Sequence, residues 1–311
     1  MKVLVTGAAG MLAHTLVPTL RVAGHQVLAL DRTDLDVTDQ RAVDRVLRSE
    51  RPDVVVQCAA HTAVDRAEAE EEVAHRVNAL ATGYLAGSCD AVGATLVYPS
   101  SDYVFSGAGE RRYAPADETG PINAYGRSKL AGEKAVTEGP LPWVIMRPPT
   151  VYGPRDREVF KVFRMARWGL APVFGDGSQE LSAVHGADLA EALVVAGIAT
   201  GTTGKIYYPC HPEVVTSAAF VRAVGGAMGR RVRLVPVPHP LGRAMLGVTE
   251  ASARLAGQTT ILTRDKANEF FQAAWTGDPG PLTRDSGWRA AHDLASGMAD
   301  TFRWYRSAGW L

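Results

Sequence analysis

Tyr125 and Lys129, four residues apart in the stretch Tyr-Gly-Arg-Ser-Lys, are the side chains best suited to proton transfer. On a helix, residues i and i+4 share a face, so the phenol and the ammonium are expected to be neighbours. A neighbouring cation favours the phenolate and lowers a phenol pKa that is otherwise about 10. The spacing therefore predicts a proton donor and acceptor that works near neutral pH. The alternative is an exposed helix pair without a role in chemistry.

Two serines stand where such a pair would need a partner. Ser100 and Ser101 follow an apolar run, residues 95–98, that predicts a strand. In open α/β sheets the ligand crevice lies outside the carboxyl ends of the strands. A hydroxyl at this place can hydrogen-bond the carbonyl oxygen that Tyr125 would protonate.

The N-terminal stretch predicts a nucleotide-binding turn. An apolar run, residues 3–5, leads through Gly7 and Gly10 into a helical pattern that starts with Met11 and Leu12. Glycine allows backbone angles and close approaches that a side chain would forbid. The free N–H groups of the helix and the positive end of its dipole suit a pyrophosphate. A second apolar run ends on Asp31, where a dinucleotide site places a carboxylate for the adenosine ribose.

The elements that would position these residues alternate between strand and helix. This alternation predicts an α/β fold, a Rossmann-like doubly wound parallel sheet with a smaller C-terminal substrate-binding cap. We expect an NAD(P)-binding domain over residues 1–154, to which the chain returns around 183–212, and a cap formed by residues 155–182 and 213–311. The predicted strands are residues 3–5, 26–30, 53–59, 95–98 and 143–147. The predicted helices include one that ends at Gly93 and others over residues 123–136, 159–168, 184–199, 263–271 and 293–304.

Composition excludes several classes of function. Lys plus Arg and Asp plus Glu are 33 each, which argues against a nucleic-acid partner or an acidic membrane surface. Three scattered cysteines argue against a disulfide framework and a thiolate metal site, and fit a cytoplasmic location. No apolar run approaches the roughly 20 residues of a membrane span. No histidine or carboxylate pair has metal-ligand spacing, so we expect no metal. We expect the partner to be a small-molecule substrate.

Together these motifs resemble, in order and spacing, the extended short-chain dehydrogenase/reductases (the NAD-dependent epimerase/dehydratase family). The motifs are Gly7-x-x-Gly10, Asp31, Ala59-Ala60, Ser100-Ser101-Asp-Tyr-Val-Phe, Tyr125-x-x-x-Lys129 and Arg147-x-x-x-x-Tyr152-Gly-Pro. Within that family, residues 59–68, 101–107 and 125–133 look most like the dTDP-4-dehydrorhamnose reductases. The resemblance covers about the first 155 residues and is much poorer beyond them.

The resemblance implies hydride transfer between a nicotinamide cofactor, NADP or NAD, and a ketone or secondary alcohol. Tyr125 would be the general acid/base, Lys129 would hold the nicotinamide ribose, and Ser101 would orient the carbonyl. The implied cofactor-binding residues are Gly7, Gly10, Met11, Leu12, Asp31, Arg32, Asp36, Val37, Ala59, Ala60, Asn78, Lys129 and Pro148. The implied substrate-binding residues are His61, Asp102, Tyr103, Thr150 and Arg155.

The chain departs from the family pattern at several positions. Ala13 replaces the usual third glycine, and Ser101 replaces a threonine but keeps the hydroxyl. Arg32 follows Asp31, so NAD and NADP both stay open. Thr150 stands where the rhamnose reductases usually carry tryptophan. Leu181 stands where related epimerases carry an arginine, the natural bidentate partner of a pyrophosphate.

Four readings follow from the sequence. The first is a reductase of the keto group of a deoxysugar nucleotide. The second is a dehydrogenase or reductase of an apolar ketone or alcohol, similar to 3β-hydroxysteroid dehydrogenases, which the leucine at position 181 would suit. The third is an epimerase with a transient internal oxidation, and the fourth is a non-catalytic NAD(P)-binding subunit. The aromatic residues Phe302, Trp304, Tyr305 and Trp310 are interpreted as packing or as an oligomer contact, which leaves a homodimer open.

Overall fold

The computed structural model describes residues 1–109, 111–238, 240 and 272–311. A central sheet of six strands organises it, and every pair of neighbours in this sheet is parallel. In spatial order the sheet contains β10 (Lys205–Tyr207), β5 (Trp143–Met146), β4 (Thr95–Pro99), β3 (Val54–Gln57), β1 (Lys2–Thr6) and β2 (Gln26–Leu30). The five strands predicted from the sequence are thus present, with ends that differ by up to two residues.

Helices cover both faces of this sheet, so the predicted Rossmann-like doubly wound α/β fold is confirmed. Helices α1 (Met11–Val22) and α8 (Gly186–Ile198) pack on one face through a core that includes Leu16, Val56 and Leu193. Helices α2 (Gln40–Glu50), α5 (Ala81–Val92) and α6 (Ala124–Thr137) cover the other face. The strands are buried on both sides and read as continuous apolar runs for that reason.

The helix predicted to end at Gly93 is broken into segments. It comprises α3 (Val64–Ala69), α4 (Glu71–His75), a π-helical turn (Arg76–Leu80) and α5. The end at Gly93 is where the sequence places it, because this glycine adopts a left-handed conformation, φ +75°, after the last helical turn. A π turn inserts one extra residue, and such turns are frequent at functional sites. This one contains Asn78.

The remaining elements lie beyond the fifth strand. The strands are β6 (Thr150–Tyr152), β7 (Leu170–Phe174), β8 (Glu180–Leu181), β9 (Ala183–His185), β11 (Val215–Thr216), β12 (Arg233–Val237) and β13 (Ala274–Trp275). The helices are α7 (Arg157–Ala166), α9 (Ser217–Ala227), α10 (Gly280–Ser286) and α11 (Leu294–Ser307). Strand β8 lies between β11 and β13, β7 pairs with β12, and β6 pairs with β9. The sequence analysis predicted none of these strands, and five of the seven have only two or three residues, too few to show a period.

An aromatic core holds the C-terminal elements together. Tyr152, Phe163, Phe220 and Tyr305 are buried there, and the Tyr305 hydroxyl donates to the backbone carbonyl of Asp156. The predicted helix 159–168 corresponds to α7 and 293–304 to α11. The predicted helix 184–199 corresponds to α8, but its first two residues belong to β9. The predicted helix 263–271 lies outside the described residues, and the domain boundaries stay a prediction.

Candidate active site

Helix α6 carries the predicted proton donor. It begins after Asn123, whose side chain accepts the backbone N–H of Gly126 at 2.6 Å. Asparagine is a preferred residue at this position because its side chain satisfies an otherwise unpaired donor. The backbone N–H of Ala124 donates to Glu68 at 2.6 Å, which ties the helix start to α3. Tyr125 and Lys129 therefore project from the first two turns into the protein, with 8 % and 2 % of their surface exposed.

Ser101 lies at the carboxyl end of β4, and its hydroxyl is close enough to the Tyr125 phenol to stabilise the phenolate. The same oxygen accepts the backbone N–H of Tyr103 at 3.2 Å, so the turn after the strand holds it in place. The backbone N–H of Asp102 donates to the carbonyl of Pro148 at 3.3 Å, which joins this turn to the end of β5. The structure thus brings together the serine and the tyrosine that the sequence predicted as partners.

The prediction of a lowered pKa for Tyr125 is wrong for this structure. Burial raises the pKa of the Tyr125 phenol well above its usual value, and the charge of Asp102 raises it further. The Ser101 hydroxyl opposes the shift without cancelling it. Helix spacing predicted the neighbouring lysine but not the desolvation of both groups. The phenol therefore keeps its proton at neutral pH, as a general acid requires.

Lys129 is also controlled by its burial. Its Nζ donates to the carbonyl of Pro99 at 2.5 Å and lies 4.1 Å from the centre of the Tyr98 ring. Desolvation lowers the pKa of Lys129 to about 7, and the charge of Glu133 opposes this shift. The lysine consequently changes charge near neutral pH, at the end of the strand that carries Ser101.

Asn78 connects the loop after β3 to the catalytic helix. Its Oδ1 accepts the backbone N–H of His61 at 2.8 Å, and its Nδ2 donates to the His61 carbonyl and to the Ser128 hydroxyl. Ser128 in turn donates to the carbonyl of Tyr125 at 2.7 Å. The Tyr98 hydroxyl donates to the Asn78 carbonyl, which the π turn presents to it. Asn78 and its carbonyl therefore connect the loop after β3, strand β4 and the helix that carries the proposed proton donor.

The glycine turn fits a dinucleotide. Gly7 has φ +66°, and a Cβ there would lie 2.6 Å from the backbone nitrogen of Ala59. Gly10 is less crowded, because a Cβ there would meet one backbone atom, the Gly7 carbonyl oxygen, at a tight 3.1 Å. Helix α1 starts at Met11, without a side-chain cap, so its first N–H groups are available to a phosphate. Leu12 and Ala60 are half-buried beside this turn.

The adenosine side of the predicted cofactor site lies after β2. Asp31 follows this strand, and its Oδ1 accepts the backbone N–H and the hydroxyl of Thr33 at 2.7 and 2.6 Å. These hydrogen bonds lower the pKa of Asp31, so it is ionised at neutral pH. Arg32 is exposed. Hydrogen bonds from Thr38 lower the pKa of Asp36, and the charge of Arg32 lowers it further. Val37 is buried in the core under α2. A carboxylate and a guanidinium thus stand together where the cofactor ribose is expected.

Among the predicted substrate residues, Tyr103 contacts Tyr125, whereas His61 and Arg155 contact other side chains. Tyr103 lies edge-on to Tyr125, with ring centres 6.0 Å apart, and edge-on to Trp275, with ring centres 4.9 Å apart. His61 forms a 3.1 Å contact with Glu70 through Nε2. Thr150 is in β6, whereas the guanidinium of Arg155 lies over the Trp304 ring at 5.4 Å. The substrate roles of all these residues stay predictions.

Trp275 and the strand that carries it were missed by sequence reasoning. Its indole fills the space beside Gly107, where a Cβ would lie 2.5 Å from the ring. Strand β13 pairs with β8, which places Trp275 in register with Leu181. No local pattern marks this tryptophan, because the pairing joins segments that are far apart in the chain.

The described residues contain no group of three His, Cys, Asp or Glu side chains that could hold a metal ion. Within the same residues no helix is long and apolar enough to cross a membrane. The functional groups that the structure brings to this edge of the sheet are the serine, the tyrosine, the lysine and the glycine turn.

These four features, at the carboxyl edge of a doubly wound parallel sheet, are the architecture of the short-chain dehydrogenase/reductases, a class of oxidoreductases. A family model described as the RmlD substrate binding domain matches residues 1–239, and the chain belongs to this family. The chain is similar to a dTDP-4-dehydrorhamnose reductase of Mycolicibacterium smegmatis, with 42 % identity over 301 residues, 90 % of this chain and 88 % of the relative.

Two solved structures carry the same name. A dTDP-4-dehydrorhamnose reductase of Clostridium acetobutylicum has a TM-score of 0.79 and 25 % identity over 98 % of this chain and 100 % of its own. One from Bacillus anthracis, in complex with NADP, has a TM-score of 0.71 and 29 % identity over 87 % of this chain and 98 % of its own. The resemblance of the first half to this group of reductases is thereby confirmed.

Proposed function

We propose that the protein is an NAD(P)H-dependent reductase of the 4-keto group of a dTDP-linked deoxysugar. The observation that supports this proposal most strongly is the Tyr125 phenol beside the Ser101 hydroxyl at the carboxyl edge of the sheet. The relatives of the chain are named for this reaction. The glycine turn at Gly7 and Gly10 and the uncapped start of α1 support a dinucleotide cofactor.

The residues divide the chemistry as follows. When bound, the dinucleotide supplies the hydride to the carbonyl carbon. Ser101 donates a hydrogen bond to the carbonyl oxygen and orients it towards Tyr125. Tyr125 then gives its proton to that oxygen, which becomes the hydroxyl of the product. Because its pKa is raised, the phenol carries its proton before the reduction begins.

Lys129 has a supporting role in this proposal. As an ammonium it would hold the nicotinamide ribose and stabilise the phenolate left after proton transfer. Its hydrogen bond to the Pro99 carbonyl fixes the side chain beside the serine strand. Asp31 would bind the adenosine ribose of NADH, and Arg32 the 2′-phosphate of NADPH. The cytoplasmic location and the homodimer remain predictions of the sequence.

The apolar-ketone reading has one observation in its favour. Leu181 lies between Val215 and Trp275 in the three-stranded sheet, so the family arginine is replaced by an apolar strip. The names of the relatives count against this reading. A substrate panel separates the two.

The test is cofactor oxidation by the purified protein with NADPH and with NADH, against dTDP-4-dehydrorhamnose, dTDP-4-keto-6-deoxyglucose, a 3-ketosteroid and a long-chain β-keto acid. Turnover of a nucleotide sugar should fall about 100- to 10,000-fold in Tyr125→Phe, the usual contribution of a general acid. Tyr207→Phe is the matched control, because this phenol binds Asp285 instead. Undiminished turnover in Tyr125→Phe would refute the proposed proton donor, and turnover of only the apolar ketones would refute the substrate class.

A further inference from the structure

A buried ion pair stands one turn beyond Lys129. Arg147, directly after β5, donates from Nε to Glu133 Oε1 at 2.9 Å and from Nη2 to Oε2 at 2.7 Å. Their side chains are only 3 % and 5 % exposed. Both oxygens of the carboxylate are engaged by a planar fork, the geometry that makes arginine the specific partner of a carboxylate.

Stability is a weak explanation for such a pair. Removing two charges from water costs more than their attraction usually returns, and apolar replacements of similar volume are often as stable. This guanidinium also reaches beyond the pair. Nη1 donates to the Tyr208 hydroxyl at 3.0 Å and to the Pro115 carbonyl at 3.3 Å, and the group lies over Phe105. The arginine therefore connects α6 to β5, to the segment after β10 and to the loop that follows Ser101.

The position of the carboxylate relative to Lys129 points to its role. Glu133 and Lys129 are four residues apart on α6 and share a face of the helix. The other ionisable groups around the lysine are neutral, because burial raises the pKa of Tyr98 on β4, of Cys58 after β3 and of Tyr125. Among the groups described around Lys129, Glu133 is thus the one that supplies a negative charge.

We propose that Glu133, held in place by Arg147, is a positioning residue that favours the ammonium form of the buried Lys129 near neutral pH. The role rests on the proposed function, since it concerns the lysine that would hold the cofactor ribose. Because Arg147 also holds Pro115, the same pair fixes the loop after the serine strand relative to the catalytic helix. Neither residue touches the reacting atoms in this proposal.

The experiment compares Glu133→Gln with the double variant Glu133→Leu/Arg147→Met. Glu133→Gln keeps the size and one acceptor but removes the charge, while the double variant removes both charges and keeps apolar volume. Without the carboxylate the ammonium is less stable, so the lysine loses its proton at a lower pH. We expect the alkaline limb of kcat/KM for ketone reduction to move down by about one pH unit in Glu133→Gln, which leaves the cation of Arg147 behind. The shift should be smaller in the double variant, which removes one charge of each sign. The alkaline limb of NADPH affinity, followed by dihydronicotinamide fluorescence, should move with it.

Arg127→Gln is the matched control, because it breaks an exposed ion pair of the same helix, with Glu71. Arg127→Gln should leave the alkaline limbs of kcat/KM and of NADPH affinity where they are in the wild type. Glu133→Asp keeps the carboxylate, so its alkaline limbs should lie close to those of the wild type. A folded Glu133→Gln variant with unmoved alkaline limbs would overturn the proposal. Failure of both Glu133 variants to fold would also overturn it, because the ion pair would then serve stability. If the wild type binds NADPH but reduces no ketone, the proposed function fails, while the affinity limb still decides the role of Glu133.

Discussion

Gly7→Ala and Gly10→Ala should separate the two roles of the glycine turn. A methyl group at position 7 would lie 2.6, 2.7 and 2.8 Å from three backbone atoms of Ala59 and Cys58. Real Cβ atoms do not approach backbone this closely, so the loop after β3 has to move. The residue would also hold φ +66°, which costs an L-amino acid about 1–2 kcal/mol. Overpacking adds about 1–3 kcal/mol, so the expected loss for Gly7→Ala is about 2–5 kcal/mol.

At position 10 the expected loss of stability is much smaller. Gly10 has φ −75° and ψ 158°, which alanine adopts freely, and the new methyl would meet only the Gly7 carbonyl at 3.1 Å. It would instead occupy the space that the pyrophosphate needs. We therefore expect Gly10→Ala to melt within a few degrees of the wild type but to bind NADPH at least about tenfold more weakly, a loss of about 1.4 kcal/mol.

Thermal unfolding followed by circular dichroism and a fluorescence titration with NADPH measure the two effects. For a chain of this size the loss at position 7 corresponds to a fall in Tm of roughly 3–8 °C. If Gly7→Ala melts like the wild type, the close packing of the turn against the β3 loop is refuted. If Gly10→Ala binds NADPH as tightly as the wild type does, the glycine turn at Gly10 does not receive the cofactor.

Two further predictions concern the rest of the fold. Burial lowers the pKa of His185 to about 4, whereas the unfolded histidine titrates near 6.5, so the unfolded chain binds more protons between these values. The free energy of unfolding should therefore fall as the pH drops from 6.5 to 4, by at most about 3 kcal/mol from this residue. In urea unfolding at several pH values, the free energy of unfolding should fall less steeply in His185→Asn, which keeps an acceptor for the N–H of Ala187. An equally steep fall in this variant would show that His185 is not the source of the pH dependence. Gly107 has φ +75°, and Gly107→Ala would drive a methyl group into the Trp275 indole. This variant should raise KM for the ketone more than it lowers kcat. Gly24→Ala is the control for backbone strain, because Gly24 has φ +81° but open space around it. An unchanged KM would show that Trp275 does not shape the substrate side.

The sequence predicted the parts of the molecule that depend on neighbours in the chain. The five apolar strands, the pairing of Tyr125 with Lys129 on one helix and the glycine turn all depend on residues within a few positions of one another. Strand β10 joins the same sheet from residues 205–207, and β8 pairs with β13, but these strands are short and their partners are remote. Trp275 beside Tyr103 was missed for the same reason. A tertiary pairing of two residues has no period to detect.

The charge states in the site show where reasoning from spacing ends. The interval between Tyr125 and Lys129 correctly places them on one helix face, yet it implies that the cation controls the phenol. In the structure both groups are buried, and desolvation dominates the pKa of each, upward for the phenol and downward for the ammonium. What opposes desolvation comes from Ser101 after β4 and from Glu133 held by Arg147 after β5. Since these contacts join different strands to one helix, the pH dependence of the reaction is a property of the folded sheet edge, and measuring it tests the structure more sharply than testing the motif alone.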